Sequence, residues 1–572
     1  MKPVCLSNRR FHSPFYLQPI DSIARREIDE MNRRETSSRS PLVVAVAACM
    51  LMLGCAPTEA TVKHVGQDGT VSVEQGTLQG RRQGDAWLFQ GVPYAAPPVE
   101  DNRFAPPRPL EPWQGVRAAT EPGPSCPQGE APDENCLHLD VTAPVTDSGA
   151  PRPVMVWLHG GGLHVGSPNE YDATRLVTTG DVIVVKVASR LNVFGYLALP
   201  GLEGGGQFGL LDEQAALRWV RDNIAAFGGD PGNVTLFGES GGAVRTCAHM
   251  VSPGSAGLFH KAILQSGGCN MRWPTNVTPL GSFWIDRTEA ERLGVEIANA
   301  VGCDRADDDE RLQCLRAVPA AKLVEAGGAS GQAAFGTPTL PLEPGVAMAQ
   351  GRFNPVPVLI GTNRDEGRAM VGLSRLMGTP ITEPGYAELL VEGYGEDAAA
   401  IAERYPVSRF AGEAEAPALT WAETITSRMF ACPADQDRRA IAGLAPVYGY
   451  LFDDQNAVGL VPIAADFPPG ASHSGELPLL FDLTSGMPVV VETGEKRPIS
   501  DQQRALGAAM IRYWTAFARN GDPHVEGLPA WPRYDPQRPA SLLRLVPGMD
   551  RAELADARTI HECDFWDGID RR

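Results

Sequence analysis

Short uninterrupted runs of apolar, mostly β-branched residues recur along the chain, separated by stretches of helical period. This alternation restricts the possible folds more than any other feature. Val154–Leu158 (VMVWL) and Val182–Val187 (VIVVKV) contain almost no polar residue. A strand with one face in water alternates apolar and polar positions, so runs without alternation belong to strands buried on both faces. Val234–Phe237, Ala262–Leu264, Val356–Ile360 and Val447–Phe452 repeat the pattern. Between them, DEQAALRWVRDNIAAF (Asp212–Phe227) has helical periodicity and stops at Gly228-Gly229, and further helical stretches fall around 288–300, 310–325, 387–403 and 502–519. Strands interleaved with helices predict an α/β fold, a large and mostly parallel central sheet covered by helices on both faces. Before it, Thr61–Gly80 reads as strand-like runs around Asp68-Gly69, a hairpin signal. No repeat or low-complexity linker divides residues 61–572, so a single domain is expected there.

The 572 residues are 43% apolar, which excludes global disorder and collagen-like or coiled-coil architectures. A formal charge of −19 argues against a nucleic-acid partner, because phosphate binding needs a basic face. Residues 1–54 nevertheless carry more Lys and Arg than Asp and Glu, and Leu42–Leu53 is a charge-free run of twelve residues. Twelve residues of helix reach about 18 Å, short of the ~30 Å needed to span a bilayer, so the run reads as the apolar part of a signal peptide, with Met31 a cleaner start. It ends in Gly54-Cys55, which resembles a lipoprotein cleavage site, and residues 55–60 form a polar linker. The expectation is an exported protein, either secreted or tethered in a periplasm or cell envelope through a lipidated Cys55. Cysteines in CxxC pairs with zinc spacing are lacking, so no metal site is expected, and export makes disulfides permissible.

The chemistry-bearing motifs lie at strand ends. Val234–Phe237 runs into Gly238-Glu239-Ser240-Gly241-Gly242 and then a helical stretch, the context in which G-x-S-x-G presents a serine nucleophile on a cramped turn. His159-Gly160-Gly161-Gly162 follows VMVWL, and side-chain-free backbone there can aim N–H groups at a developing oxyanion. An acid should follow the serine and a histidine should follow the acid. Asp365 or Glu366, in GTNRDEG after VPVLI, lies at a strand end, and local logic does not choose between the two. Of the late histidines, His524 follows a turn, His561 is nearly terminal, and His473 occupies the loop GASHSGELPLLF before an apolar run.

FQGVPYAAPPVEDNRFAPP (89–107), DENCLHLDV (133–141), PVMVWLHGGG (153–162), the G-x-S-x-G region (209–242), GTNRDEG (361–367) and CDFWD (563–567) together resemble the type-B carboxylesterases, the cholinesterase-like branch of the α/β-hydrolases. The resemblance covers nearly everything after residue 61. It implies an α/β-hydrolase fold and a serine carboxylic-ester hydrolase acting through an acyl-enzyme, on a small-molecule ester and with no cofactor. It implies a triad of Ser240, Glu366 and His473, oxyanion donors at Gly161, Gly162 and Gly241, and a supporting serine at Ser266. Arg103 with Glu134 and Arg190 with Asp212 match scaffold ion pairs. Disulfides are implied for Cys126–Cys136, Cys303–Cys314 and Cys432–Cys563, leaving Cys247 and Cys269 as buried or free thiols. The chain departs from the family at Gly241, where Ala is usual, and at Leu163-His164, where an aromatic is common; His164 is expected as a surface histidine. The Cys126–Cys136 loop has no tryptophan to hold a quaternary ammonium, which argues against cholinesterase activity. A triacylglycerol lipase with an interfacial lid and a non-catalytic binding module are the competing readings.

Overall fold

The computed structural model describes residues 65–572 apart from 130–132, 275–280, 329–330, 465, 484–498, 539 and 572. The leader and Cys55 lie outside the described residues. Thr61–Arg572 forms one compact unit.

Among the described residues eleven strands form the central sheet: β1 (Arg81–Gln83), β2 (Ala86–Pro93), β3 (His138–Pro144), β4 (Arg152–Leu158), β5 (Ile183–Val187), β6 (Gly229–Glu239), β7 (Lys261–Gln265), β8 (Val358–Asn363), β9 (Val447–Phe452), β10 (Leu542–Leu545) and β11 (Leu554–Ala555). Their order across the sheet is β11-β10-β9-β8-β7-β6-β4-β5-β3-β2-β1. Pairing is parallel from β10 through to β5 and antiparallel outside those limits. The helices that matter for the site are α1 (Asn192–Tyr196), α2 (Phe208–Asn223), α3 (Gly241–Val251), α4 (Arg287–Ala300), α5 (Ala320–Gly327), α6 (Gly367–Leu376), α7 (Cys432–Ala442) and α8 (Asp501–Asn520).

The absence of alternation in the strand sequences is explained by helices on both sides. Side chains alternate across a strand, so Val154, Val156 and Leu158 share one face with Leu236, Leu264 and Ile360, where Leu217 and Val220 of α2 and Val244 of α3 belong to the same cluster. Met155 and Trp157 point the other way, with Phe237, Ile263 and Leu359, toward Met510, Trp514 and Phe517 of α8. A capping box at Ser500 and Gln503 starts α8, and Gly521 at φ +73° ends it.

Three local expectations need correction. The hairpin pairs Thr70–Val73 with Gly76–Gln79, so its turn lies at 74–75 and not at Asp68-Gly69. Asp68 instead caps the strand, its carboxylate accepting from Thr70 N (3.1 Å) and Thr70 Oγ1 (2.8 Å). The helical stretch 310–325 is two helices, Asp308–Ala317 and α5, because Pro319 interrupts the backbone ladder. The stretch 387–403 likewise breaks at Gly395, at φ +55°, between Glu383–Tyr394 and Ala398–Arg404. Among the described residues four disulfides form, at Cys126–Cys136, Cys303–Cys314, Cys432–Cys563 and Cys247–Cys269. Cys247 and Cys269 are therefore not free thiols. Tertiary packing brings α3 against the loop after β7, a juxtaposition that a 22-residue sequence separation does not reveal.

Candidate active site

The carboxyl ends of β4, β6, β7 and β8 converge, and each carries one part of the site, as expected for a ligand crevice in an open parallel sheet. Ser240 lies between β6 and α3 at φ +54°, ψ −122°, a conformation that only a tightly determined turn imposes on a non-glycine residue. The flanking glycines make that turn sterically feasible. A Cβ on Gly242 would overlap the Leu158 carbonyl, and one on Gly238 would overlap Gly242 itself. Strand β4 thus lies directly behind the turn.

The glycine loop after β4 approaches from the other side. A Cβ on Gly241 would lie 2.8 Å from Gly162 N, so the first turn of α3 and the glycine loop after β4 are in backbone contact. Gly161 and Gly162 both have positive φ (+98° and +63°). Among the described residues, no hydrogen bond takes up their N–H groups. After β7, Ser266 is buried at φ +52°, and a Cβ on the next residue, Gly267, would lie 2.6 Å from Ser240 O. The Ser266 turn therefore braces the Ser240 backbone, and the Ser266 hydroxyl has no hydrogen-bond partner among the described residues.

The two carboxylates left open by the sequence separate in space. Glu366 is fully buried; its Oε2 lies 2.6 Å from His473 Nδ1, and its Oε1 accepts from Asn363 N at 2.7 Å. Asp365 turns away, accepting from Ala471 N (3.0 Å) and Gln455 Nε2 (2.9 Å) and pairing with Arg368. Asp365 holds the histidine loop, while Glu366 holds the imidazole. His524 is exposed, and His561 is buried with neither ring nitrogen hydrogen-bonded to a described residue.

Two further carboxylates around His473 were not assigned from the sequence. Glu239, inside G-x-S-x-G, has Oε1 3.2 Å from His473 Nε2 and accepts from Ser474 Oγ at 2.7 Å. Glu476, three residues after His473, accepts from Gln265 Nε2 (3.0 Å) and Asn363 Nδ2 (2.7 Å). Their sequence signal was proximity to the motif residues, but only the fold turns them toward one imidazole. Burial pushes the Glu239 carboxyl up to about 8. Burial alone would lower His473, but the carboxylates of Glu239 and Glu366 outweigh it and raise the imidazole to about 9.

Arg245, on α3 one turn beyond Gly241, was also not anticipated. Its guanidinium donates to Glu213 Oε1 (2.5 Å), to Ser189 Oγ (3.0 Å) and to the His159 carbonyl that precedes the oxyanion glycines. Glu213 also meets His249 Nε2 at 2.9 Å. This buried cluster ties α2, α3 and the glycine loop after β4 together. The scaffold pairs form as expected, with Arg190 bidentate on Asp212 (2.8 and 2.7 Å) and Arg103 on Glu134. His164 departs from expectation: it is half-buried and lines a cavity.

A strained serine between a parallel strand and a helix, with a carboxylate-held histidine on a later loop, is the arrangement of the α/β-hydrolase fold. Residues 67–566 match the carboxylesterase family. The human (Homo sapiens) cocaine esterase is 31% identical over 84% of this chain and 86% of its own length. A mouse (Mus musculus) acylcarnitine hydrolase is 33% identical, with the same shares of each chain. The para-nitrobenzyl esterase of Bacillus subtilis (strain 168) is 33% identical over 83% of this chain and 94% of its own. The chain belongs to the carboxylesterase family and is a hydrolase of small-molecule carboxylic esters.

Proposed function

We propose that the protein cleaves esters by two-step acyl transfer through Ser240, His473 and Glu366. His473 Nε2 takes the Ser240 proton as Oγ attacks the ester carbonyl, and Glu366, on Nδ1, orients the ring and stabilises the imidazolium. The tetrahedral oxyanion is held by the N–H groups of Gly161, Gly162 and Gly241, each worth about 2.7–4 kcal/mol in the transition state. His473 then returns the proton to the departing alkoxide. Water, deprotonated by the same nitrogen, attacks the acyl-enzyme, releasing the carboxylic acid and regenerating the serine. The observation that carries this reading is the 2.6 Å contact of His473 with Glu366, on a loop that ends beside the Ser240 turn.

The test is a set of substitutions assayed on an aryl ester. Ser240→Ala is expected to abolish hydrolysis and organophosphate labelling, and His473→Ala to cost about as much, because the members act as a unit. Glu366→Gln should keep a small residual rate, and Asp365→Asn should keep much more. Loss of activity in Asp365→Asn but not in Glu366→Gln would overturn the acid assignment, and an unchanged Ser240→Ala rate would overturn the mechanism.

Four disulfides support an exported protein folded in an oxidising compartment. We further propose that the mature chain begins at Cys55 and carries lipid there. Intact-mass measurement retaining residues 31–54 would sink that proposal.

A further inference from the structure

A serine at φ +54° keeps that conformation only where its surroundings over-determine it, and for Ser240 much of the constraint comes from one loop. The Ser240 N–H donates to Gln265 O at 2.9 Å, and a Cβ on Gly267 would lie 2.6 Å from Ser240 O. Residues 265–270 therefore touch the peptide groups on both sides of the serine. Where this loop stands decides where Ser240 stands.

The loop is itself fastened, most heavily at Cys269. Its start is tied to β8, where the Ser266 N–H donates to Gly361 O at 2.9 Å. At Cys269 the N–H, the carbonyl and the sulfur are all engaged. The N–H donates to Asp437 Oδ2 (2.8 Å), the carbonyl accepts from Trp284 Nε1 (2.8 Å), and Sγ is bonded to Cys247. Cys247 lies on α3, about two helical turns beyond Ser240. The disulfide thus closes a circuit that runs from Ser240 along α3 to Cys269 and returns to Ser240 through Gly267.

Asp437, on α7, is the second fastening. It is fully buried and forms no ion pair with a described residue, while its neighbour Arg438 faces Asp435 (3.8 Å). Two donors of the loop satisfy its carboxylate instead, Cys269 N and Asn270 Nδ2 (2.6 Å). A Cβ on Gly268 would overlap the carboxylate, so loop and carboxylate are in direct contact. Burial without a cation is costly and pushes the carboxyl up to about 6. An apolar side chain could fill the same place at lower cost. What Asp437 adds is a pair of directed bonds that fix the height of the loop beneath Ser240.

We propose that the Cys247–Cys269 bond and Asp437 are positioning residues for the nucleophile, holding Ser240 in its reactive conformation through the 265–270 loop. They touch neither substrate nor the reacting atoms. Their removal costs turnover, over and above any loss of stability.

The experiment uses the full chain and p-nitrophenyl butyrate, with sites counted by organophosphate labelling carried to completion, so that each rate is per folded site. Cys247→Ala with Cys269→Ala should lower kcat by about 10–100-fold with KM moving less than about threefold, because a ~1 Å misplacement of the nucleophile costs that much. The rate constant for labelling should fall by the same factor. Cys303→Ser with Cys314→Ser opens a disulfide away from this loop, and should lower the denaturant midpoint while leaving kcat as it was. Asp437→Asn sets an amide nitrogen against Asn270 Nδ2, donor against donor, and should lower kcat by about tenfold or more. Adding Asn270→Asp restores a donor–acceptor pair, and the double variant should recover most of the lost rate. If the disulfide-free chain does not fold, Asp437→Asn and its rescue decide the matter. Native kcat per labelled site in either variant overturns the role of the group it removes, and an Asp437→Asn loss that Asn270→Asp does not recover overturns the role of Asp437. An equal loss of kcat in the Cys303/Cys314 variant overturns the role of the Cys247–Cys269 bond. The inference rests on the role proposed above for Ser240: hydrolysis that survives Ser240→Ala overturns that reading and the inference together, whereas native rates in these variants with Ser240 dependence intact overturn the inference alone.

Discussion

His473 faces more than one acidic side chain. Glu366 meets Nδ1, Glu239 meets Nε2, and Glu476 is held nearby by Gln265 and Asn363. In the mechanism proposed above a neutral imidazole accepts the Ser240 proton, so kcat/KM should fall as pH drops through the His473 pKa. An unperturbed histidine would put that limb near 6.5, whereas the surrounding carboxylates carry it upward, toward about 9. Above about 8, where the Glu239 carboxyl is ionised, Glu239→Gln removes one anion and should move the acid limb of the pH–rate profile down; an unmoved limb would show that Glu239 has no electrostatic hold on the base. Arg245 acts differently, through the backbone. Replacing it with Lys keeps a cation beside Glu213 but loses the fork that reaches Ser189 and His159 O together. We expect Arg245→Lys to lower kcat by about 10–100-fold through a misaligned oxyanion loop, with KM moving less. Steady-state kinetics that showed the reverse split would assign Arg245 to substrate binding.

At the scale of elements, the turn from β6 into α3 is where backbone packing leaves least freedom. The Gly242 Cα lies against the Leu158 carbonyl at the end of β4, and the Gly267 Cα against the carbonyl of Ser240. Gly242→Ala has to push β4 and α3 apart, which should destabilise the protein by about 1–3 kcal/mol or more and abolish hydrolysis. Denaturant unfolding together with an ester assay measures both effects, and a variant of native stability and rate would refute the steric account. The Cys247–Cys269 bond clamps the same region, joining α3 to the loop that carries Ser266 and Gly267. Loop closure of this length is worth roughly 3 kcal/mol against the unfolded chain.

For the whole molecule, buried neutral histidines set the response of stability to acid. Burial pushes His561 down to about 4, and burial with the Arg245 charge pushes His159 to about 3. Each binds a proton less readily folded than unfolded, so stability is complete above about 6.5 and is lost as pH falls from there through the folded values. His473 works in the opposite sense, its contribution being full below about 6.5 and lost as pH rises through about 9. Between pH 7 and pH 4 the denaturant midpoint of His561→Phe should therefore lose less, or gain more, than that of the unsubstituted protein. The same pH dependence in both proteins would contradict the assignment of His561 as neutral in the folded protein.

The layered architecture was legible in the chain because it rests on local physics: unbroken β-branched runs are stable only when both faces are covered, and helical period requires an apolar stripe to bury. The G-x-S-x-G and HGGG segments were legible for a related reason, since glycine is needed wherever backbone passes within contact distance of backbone, as at Gly238, Gly242 and Gly161. The choice between Asp365 and Glu366 was not legible from local sequence. Both follow β8, and which of them meets an imidazole more than a hundred residues away depends on how the 470–476 loop docks. The Glu239 and Glu476 carboxylates, the reach of Arg245 to His159 O and the Cys247–Cys269 bond share that character. Each joins groups far apart in sequence, and their meeting is decided by the packing of helices and loops over the sheet, which no local pattern encodes.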